Sequence, residues 1–286
     1  MRARVLPTAL AVISPLFAAC SADRAERPAG TAMRSGPSPA ALSQLAPGGV
    51  LRAGINQGNP NNAKRDPASG ELRGVAVDVA RDLATVLGVT LEVVPLDGVP
   101  AMLRSLREGR ADVILSHNPD QDPITGETGP NASAAAGLAC TPAMMGVDNT
   151  FLVAPGSPLT SVSDYDRAGI RIAVGRGNNP DLFLGARLQQ SQLVRAETPA
   201  LAWELVKAGR ADAFAGSVDF IRAHAAEAPG ARMLPGRFMV GLLAMCLPAG
   251  RPEALAYATG FIESEKASGT LGAAIRRAGL QGVDVP

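Results

Sequence analysis

Few residues in this chain are placed to do chemistry, and their spacing narrows what that chemistry is. Gly175-Arg176-Gly177-Asn178-Asn179-Pro180 stands where an apolar strand should give way to a helix. Free backbone N–H groups at such a start favour an anion or a carbonyl oxygen. The same segment also reads as a plain turn in which glycine supplies a positive φ. A dinucleotide loop would need a third glycine, which is missing. Asp120 and Asp122 lie in a polar stretch that lacks the remaining ligands of a calcium loop. Two His and three scattered Cys make no zinc cluster, which takes several ligands at short spacing. There is no Gly-x-Ser-x-Gly elbow, and no nucleophile has a base beside it in the sequence. The expectation is binding chemistry with no metal, no cofactor and no catalytic residue.

Composition points the same way. In 286 residues, 27 Lys and Arg meet 26 Asp and Glu, and the net charge of +1 excludes an electrostatic nucleic-acid binder. Aromatics at 3% leave no stacking platform for bases, while 47% hydrophobic residues are enough for a globular core. The length allows about two domains.

The first segment serves targeting. Arg2 and Arg4 precede a largely apolar stretch that ends in Phe17-Ala18-Ala19-Cys20. A basic start, a short apolar run and small residues before a cut read as a secretory signal over residues 1–19. The small residues before Cys20 resemble a bacterial lipobox, with Cys20 the lipidated first residue of the mature chain; the other readings are plain cleavage near Ala19 and an uncleaved anchor. Residues 20–48 are rich in Ala, Pro, Ser, Gly and Arg without periodicity, and read as a flexible leader. Through Arg34 the chain carries five Arg against Asp23 and Glu26, which leaves the folded part slightly negative.

Strands and helices then alternate. Val50 to Ile55 and Thr90 to Leu96 are apolar strands around a helix carrying Val75, Val79 and Leu83 and ended by Gly88. Val99, Leu103 and Leu106 mark a second helix before a strand at Ala111 to Leu115. Thr150 to Ala154 reads as extended after a long irregular loop. Further on, Ile170 to Gly175, Gln192 to Ala196 and Ala211 to Gly216 read as strands. Between them fall helices near Asp181 to Gln189 and after Thr198, with Pro199 at the first helical position. This alternation predicts parallel α/β sheets with elements enough for two. One echo stands out: Gly109-Arg110-Ala111-Asp112 recurs as Gly209-Arg210-Ala211-Asp212, each ending a helix and opening a strand. Helix–Gly–strand junctions are common, so this is either coincidence or the mark of two lobes of similar construction. Two facing lobes make a cleft, and ligands favour crevices beyond the carboxyl ends of strands.

Several segments in order resemble a known family. They are Val50-Leu51-Arg52-Ala53-Gly54, Gly74 to Ala80 with Leu87-Gly88-Val89, Leu106 to Val113, Gly169 to Gly177, Gly209 to Ala213 and Ala267 to Leu271. Together they resemble the bacterial extracellular solute-binding proteins of family 3, the type II periplasmic binding fold that feeds ABC importers. The resemblance implies a two-lobed α/β fold with a hinge crossed twice and a ligand cleft between the lobes. Lobe 1 would hold residues 49–150 and 244–286, and lobe 2 residues 151–243.

The resemblance also implies where ligand is met: after the first strand, after Leu115, after Gly175 and after Gly216. The residues at those places are Asn56, Gln57 and Asn59; His117 and Asn118; Arg176, Gly177, Asn178 and Asn179; and Ser217 with Asp219. They depart from the family's amino-acid pattern. Aromatics are missing after the first strand, and the Arg that pairs with an α-carboxylate is replaced by His117-Asn118-Pro119. An Asp that would hold an α-ammonium is replaced by Ser217. The implied function is a monomeric periplasmic protein that captures a small polar solute, amino-acid-like or an organic acid. It would deliver that solute to an ABC permease in the inner membrane. From the groups present, a neutral or anionic solute is expected, its negative end on the Gly177–Asn179 turn, with Arg176 in reserve; Asp219 restoring amino-acid binding is the alternative. A dehydratase-type enzyme on the same fold and a non-transport sensor or scaffold are the alternative functions. By the same resemblance Cys140 and Cys246 are neighbours, either as a disulfide or as two packed thiols.

Overall fold

The computed structural model describes residues 36–117 and 132–286, so Cys20, Asn118, Asp120 and Asp122 lie outside the described residues. In chain order come α1 (Pro39–Leu45), β1 (Val50–Asn56), β2 (Lys64–Arg65), β3 (Leu72–Arg73), α2 (Val75–Leu87), β4 (Thr90–Leu96), α3 (Gly98–Arg107) and β5 (Val113–His117). They are followed by α4 (Ala132–Ala135), β6 (Leu138–Cys140), β7 (Met145–Val153), β8 (Arg171–Gly175), α5 (Asn179–Arg187), β9 (Gln192–Ala196), α6 (Pro199–Lys207) and β10 (Ala213–Ser217). The chain closes with α7 (Val218–His224), β11 (Arg232–Met233), β12 (Met239–Pro248), α8 (Pro252–Ala267), α9 (Thr270–Arg277) and β13 (Val283–Asp284).

The main sheet runs β4-β1-β5-β12-β7-β10-β8-β9. Its two wings have one topology. In the first, β1 pairs in parallel with β4 and β5; in the second, β8 pairs in parallel with β9 and β10. Between them β12 and β7 pair antiparallel, β12 also with β5 and β7 also with β10. These two long strands are the double crossing of the two-lobed fold.

The sequence echo has a physical counterpart. Asp112 accepts hydrogen bonds from the backbone N, Nε and Nη2 of Arg52, while the Asp112 N–H donates to the Arg52 carbonyl. Asp212 does the same with Arg171. In each lobe the guanidinium also reaches the carbonyl of the glycine that ends the preceding helix, Gly109 or Gly209. The hydrogen bonds from Arg171 hold the Asp212 carboxyl below its ordinary range.

Alternation along the strands gives each wing two apolar faces. Val113 and Leu115 of β5 join Leu51, Ile55, Leu83 and Phe261, whereas Ile114 faces Met102 and Leu106. Ile172 and Val174 of β8 meet Phe151 and Phe183, whereas Ala173 faces Trp203 and Phe214. Strands buried on both faces read as continuous apolar runs, as these do.

Two differences from the sequence reading have physical causes, and one open alternative is decided. Residues 20–48 are not leader throughout. Ser38 caps α1 by accepting from Ala41 N, Ala41 and Leu45 are buried, and Gln44 Oε1 accepts from Ala254 N on α8. The signal is one Ala41/Leu45 pair at helical spacing, swamped by the Ala, Pro and Ser around it. The extended segment at Thr150–Ala154 is the end of a nine-residue strand, β7, whose doubly buried residues show no alternation. Cys140 on β6 and Cys246 on β12 are register partners and form a disulfide, which settles the choice left open above.

On the outer side of the first wing, α8 presents Glu265 near Asp82 of α2. Glu265 Oε2 is buried without a hydrogen-bond partner among the described residues. Burial, and secondarily the Asp82 charge, push the Glu265 carboxyl up to about 7. Asp82 is itself raised, by burial first and then by Asp78, with Arg277 and Arg81 opposing. The folded chain therefore holds this proton more tightly than the unfolded chain, in which Glu titrates near 4.5. Stability should fall as pH rises from about 4.5 through about 7. Thermal melts of Glu265→Gln should be flatter over this window and higher than wild type at pH 8; a wild-type-like slope in the variant would contradict this assignment.

Candidate functional site

A cavity of about 510 Å³ opens beyond the carboxyl ends of β1, β5, β8 and β10, within the range of small-molecule sites. The first wing lines it with Asn56, Asn59, Asn61, Asn62, Asp97, Met102 and Ser116. The second supplies Gly175 to Pro180, Glu197, Thr198, Phe214, Ser217 and Phe220, and the crossing strands add Val147, Asn149 and Leu243. The lining is thus an apolar floor with amides above it and charges at the mouth.

Many of these polar groups also hold the backbone in place. Asn56 Oδ1 accepts from Gly58 N and Gly98 N, tying the loop after β1 to the start of α3. Asn59 Oδ1 accepts from Asn61 N. Asn178 caps α5 by accepting from Asp181 N, and Ser217 caps α7 by accepting from Phe220 N. Gly74, at φ 145°, lets α2 approach this loop: a Cβ there would stand 2.6 Å from the Asn62 carbonyl oxygen.

The structure brings Asn56, Asn59, Arg176, Gly177, Asn178, Asn179 and Ser217 to the cavity. Gln57 and Asp219 are not among its lining residues. Gln57 donates to Asp97 Oδ1 and accepts from Arg65, so its amide is already engaged by neighbouring side chains. Asp219 faces Lys64 at 3.7 Å and accepts from Gln281 N. Its place is a contact between the β2–β3 hairpin and α7, which removes it as a ligand ammonium partner. His117 ends β5.

The expected anion cradle at Gly177–Asn179 is also corrected. Gly177 N donates to Asp181 Oδ2 at 2.8 Å and Asn178 N to the Gly175 carbonyl. Asp181 is buried and paired with Arg195 at 2.7 Å. The turn already serves the chain's own carboxylate. Arg176 is exposed, with Glu197 Oε1 3.4 Å from its Nε.

Sequence reading missed Asn61, Asn62, Asp97, Ser116, Asn149 and Glu197. A usable signal existed for two of them: Asp97 follows the last residue of β4 and Glu197 the last of β9, equivalent strand ends in the two wings. Asn61 and Asn62 lie in the same Asn-rich loop as Asn59. Asn149, inside β7, carries no such mark.

Fold and cleft together define a two-lobed α/β architecture with a cavity where the two wings meet. Residues 51–122 match the bacterial extracellular solute-binding proteins, family 3, bearing out the resemblance read from the sequence. No curated relative matches the chain. Among solved structures, a mutant of ArgBP from T. maritima is 22% identical with a TM-score of 0.66, over 83% of this chain and 98% of that one. The solute receptor for L-cysteine of Neisseria gonorrhoeae has the same identity and score, over 83% and 92%. An ancestral amino acid-binding protein, a precursor of cyclohexadienyl dehydratase, is 22% identical with a TM-score of 0.65, over 82% and 97%. At this identity the likenesses establish the fold.

Gly241 on β12 backs the site. A Cβ there would lie 2.6 Å from Asn179 Nδ2 and 3.4 Å from Asn149 Nδ2. Gly241→Ala should therefore push the Asn179 amide aside at little cost to folding. Solute affinity should drop roughly tenfold, about 1.4 kcal/mol, with a near-wild-type melting temperature. Unchanged affinity in this variant would remove Asn179 from the binding surface.

Proposed function

We propose that this chain is an extracytoplasmic solute-binding protein that captures one small polar solute between its lobes and delivers it to an ABC permease. The observation that carries the reading is the cavity lined from both wings and from the two crossing strands. A solute touching both wings is worth more to a closed arrangement than to an open one, so binding shifts the hinge toward closure. The permease then meets a surface formed only when solute is bound.

In this reading Asn56, Asn59, Arg176, Gly177, Asn178, Asn179 and Ser217 belong to the binding surface together with Asn61, Asn62 and Asn149. Residues 49–150 and 244–286 form one lobe, and 151–243 the other. The protein acts as a monomer held at the periplasmic membrane face through lipidated Cys20. Among the described residues no helix is long and apolar enough to cross a membrane.

One comparison favours a second reading, since one of the similar structures is an ancestral amino acid-binding protein that is a precursor of cyclohexadienyl dehydratase. An enzyme of that kind needs a carboxylic acid set in an apolar pocket, and the lining carboxylates Asp97 and Glu197 are exposed. Binding without turnover is therefore preferred.

Melting and small-angle scattering with a panel of amines, amino acids, organic acids and sugars test the proposal. A solute at 100 times its dissociation constant should add about 2.7 kcal/mol of stability and reduce the radius of gyration. A panel that neither stabilises nor compacts the protein would contradict solute capture.

A further inference from the structure

We infer that the cavity is built for a solute that presents N–H donors and carries no carboxylate: a small amine, amidine or amide. The inference rests on the solute-binding reading and names the ligand class of that same site.

Asn61 and Asn62 line the cavity, 5% and 2% exposed. The Oδ1 atom of each is buried and has no hydrogen-bond partner among the described residues. For Asn62 the orphan is fixed as the acceptor, because its Nδ2 donates to the Leu115 carbonyl at 3.3 Å. Native proteins rarely leave buried acceptors unmatched, and two at neighbouring positions on one cavity wall mark where donors are taken up.

Two groups that could receive an anion are already engaged. The Gly177 N–H is held by Asp181, and Arg176 faces Glu197. Arg176 is the one cationic side chain among the described lining residues, against the two carboxylates Asp97 and Glu197. Against the Asn61–Asn62 wall a carboxylate would meet two buried unmatched acceptors, with Asp97 and Glu197 adding like charge, which is unfavourable on both counts. A protonated amine or a neutral amide would instead find two buried acceptors, with the rim carboxylates drawing a cation inward.

Three probes of similar length isolate the chemistry: 1,5-diaminopentane, L-lysine and glutarate. In calorimetry on the whole chain, 1,5-diaminopentane should bind at least tenfold more tightly than L-lysine, and glutarate should not bind. Asn61→Leu, which removes the acceptor, should weaken the diamine at least tenfold while leaving the melting temperature equal or higher. Asn61→Asp, which keeps an acceptor, should retain diamine binding, and it decides the matter if Asn61→Leu does not fold. Tighter binding of glutarate or L-lysine overturns the donor class and leaves solute binding standing. Diamine affinity unchanged in Asn61→Leu also overturns it. Binding of none of the three overturns the donor class, and solute capture itself then fails only if the wider panel is silent too.

Discussion

The arginine–aspartate clamp, made once in each lobe, is the constraint on which the rest of the architecture depends. Asp112 is buried, and its partner Arg52 supplies backbone and guanidinium donors together. Bidentate pairs of this kind fix geometry as well as charge. The clamp joins the start of β1 to the start of β5, and its counterpart joins β8 to β10. With the starts of these parallel strands tied, their carboxyl ends finish side by side, and the loops that follow them share one cleft. Leaving such a buried carboxylate without its arginine is the costly outcome, about 3–5 kcal/mol in comparable pairs.

Because both lobes use this device, their strand ends are equivalent. Asn56 at the end of β1 answers to Gly175 at the end of β8, Asp97 after β4 to Glu197 after β9, and Ser116 near the end of β5 to Gly216 near the end of β10. The repeated construction delivers amides and hydroxyls from two sides and places a carboxylate on each rim. The antiparallel β7 and β12 carry the chain across and contribute Asn149 and Leu243 to the floor between.

Much of this was legible in the sequence, for identifiable reasons. The strands at Thr90–Leu96 and Gln192–Ala196 coincide with the observed ones, half-buried edge strands of the sheet, since short runs of strand-forming residues bounded by turn or polar residues mark strands. Thr198 with Pro199 started a helix as their chemistry requires. The Gly-Arg-Ala-Asp echo pointed at the clamp without revealing it, because Arg52 and Arg171 lie dozens of residues before their partners. The site was only half legible. Gln57 and Asp219 have the right types at the right strand ends, yet each is drawn to a neighbour, Arg65 and Lys64, that linear order does not place beside it. The anion cradle failed for a similar reason: Asp181, four residues on, folds back onto Gly177.

The account's central claim is that one solute is held by both lobes at once, with its donors on the Asn61–Asn62 wall. A crystal structure of the protein with 1,5-diaminopentane tests this most directly. The account predicts one diamine in the cavity, a nitrogen within hydrogen-bond distance of Asn61 or Asn62 Oδ1, and contacts to the Gly175–Asn179 turn of the opposite lobe. A diamine seated on one lobe alone, or an anion occupying the cavity in its place, would contradict it.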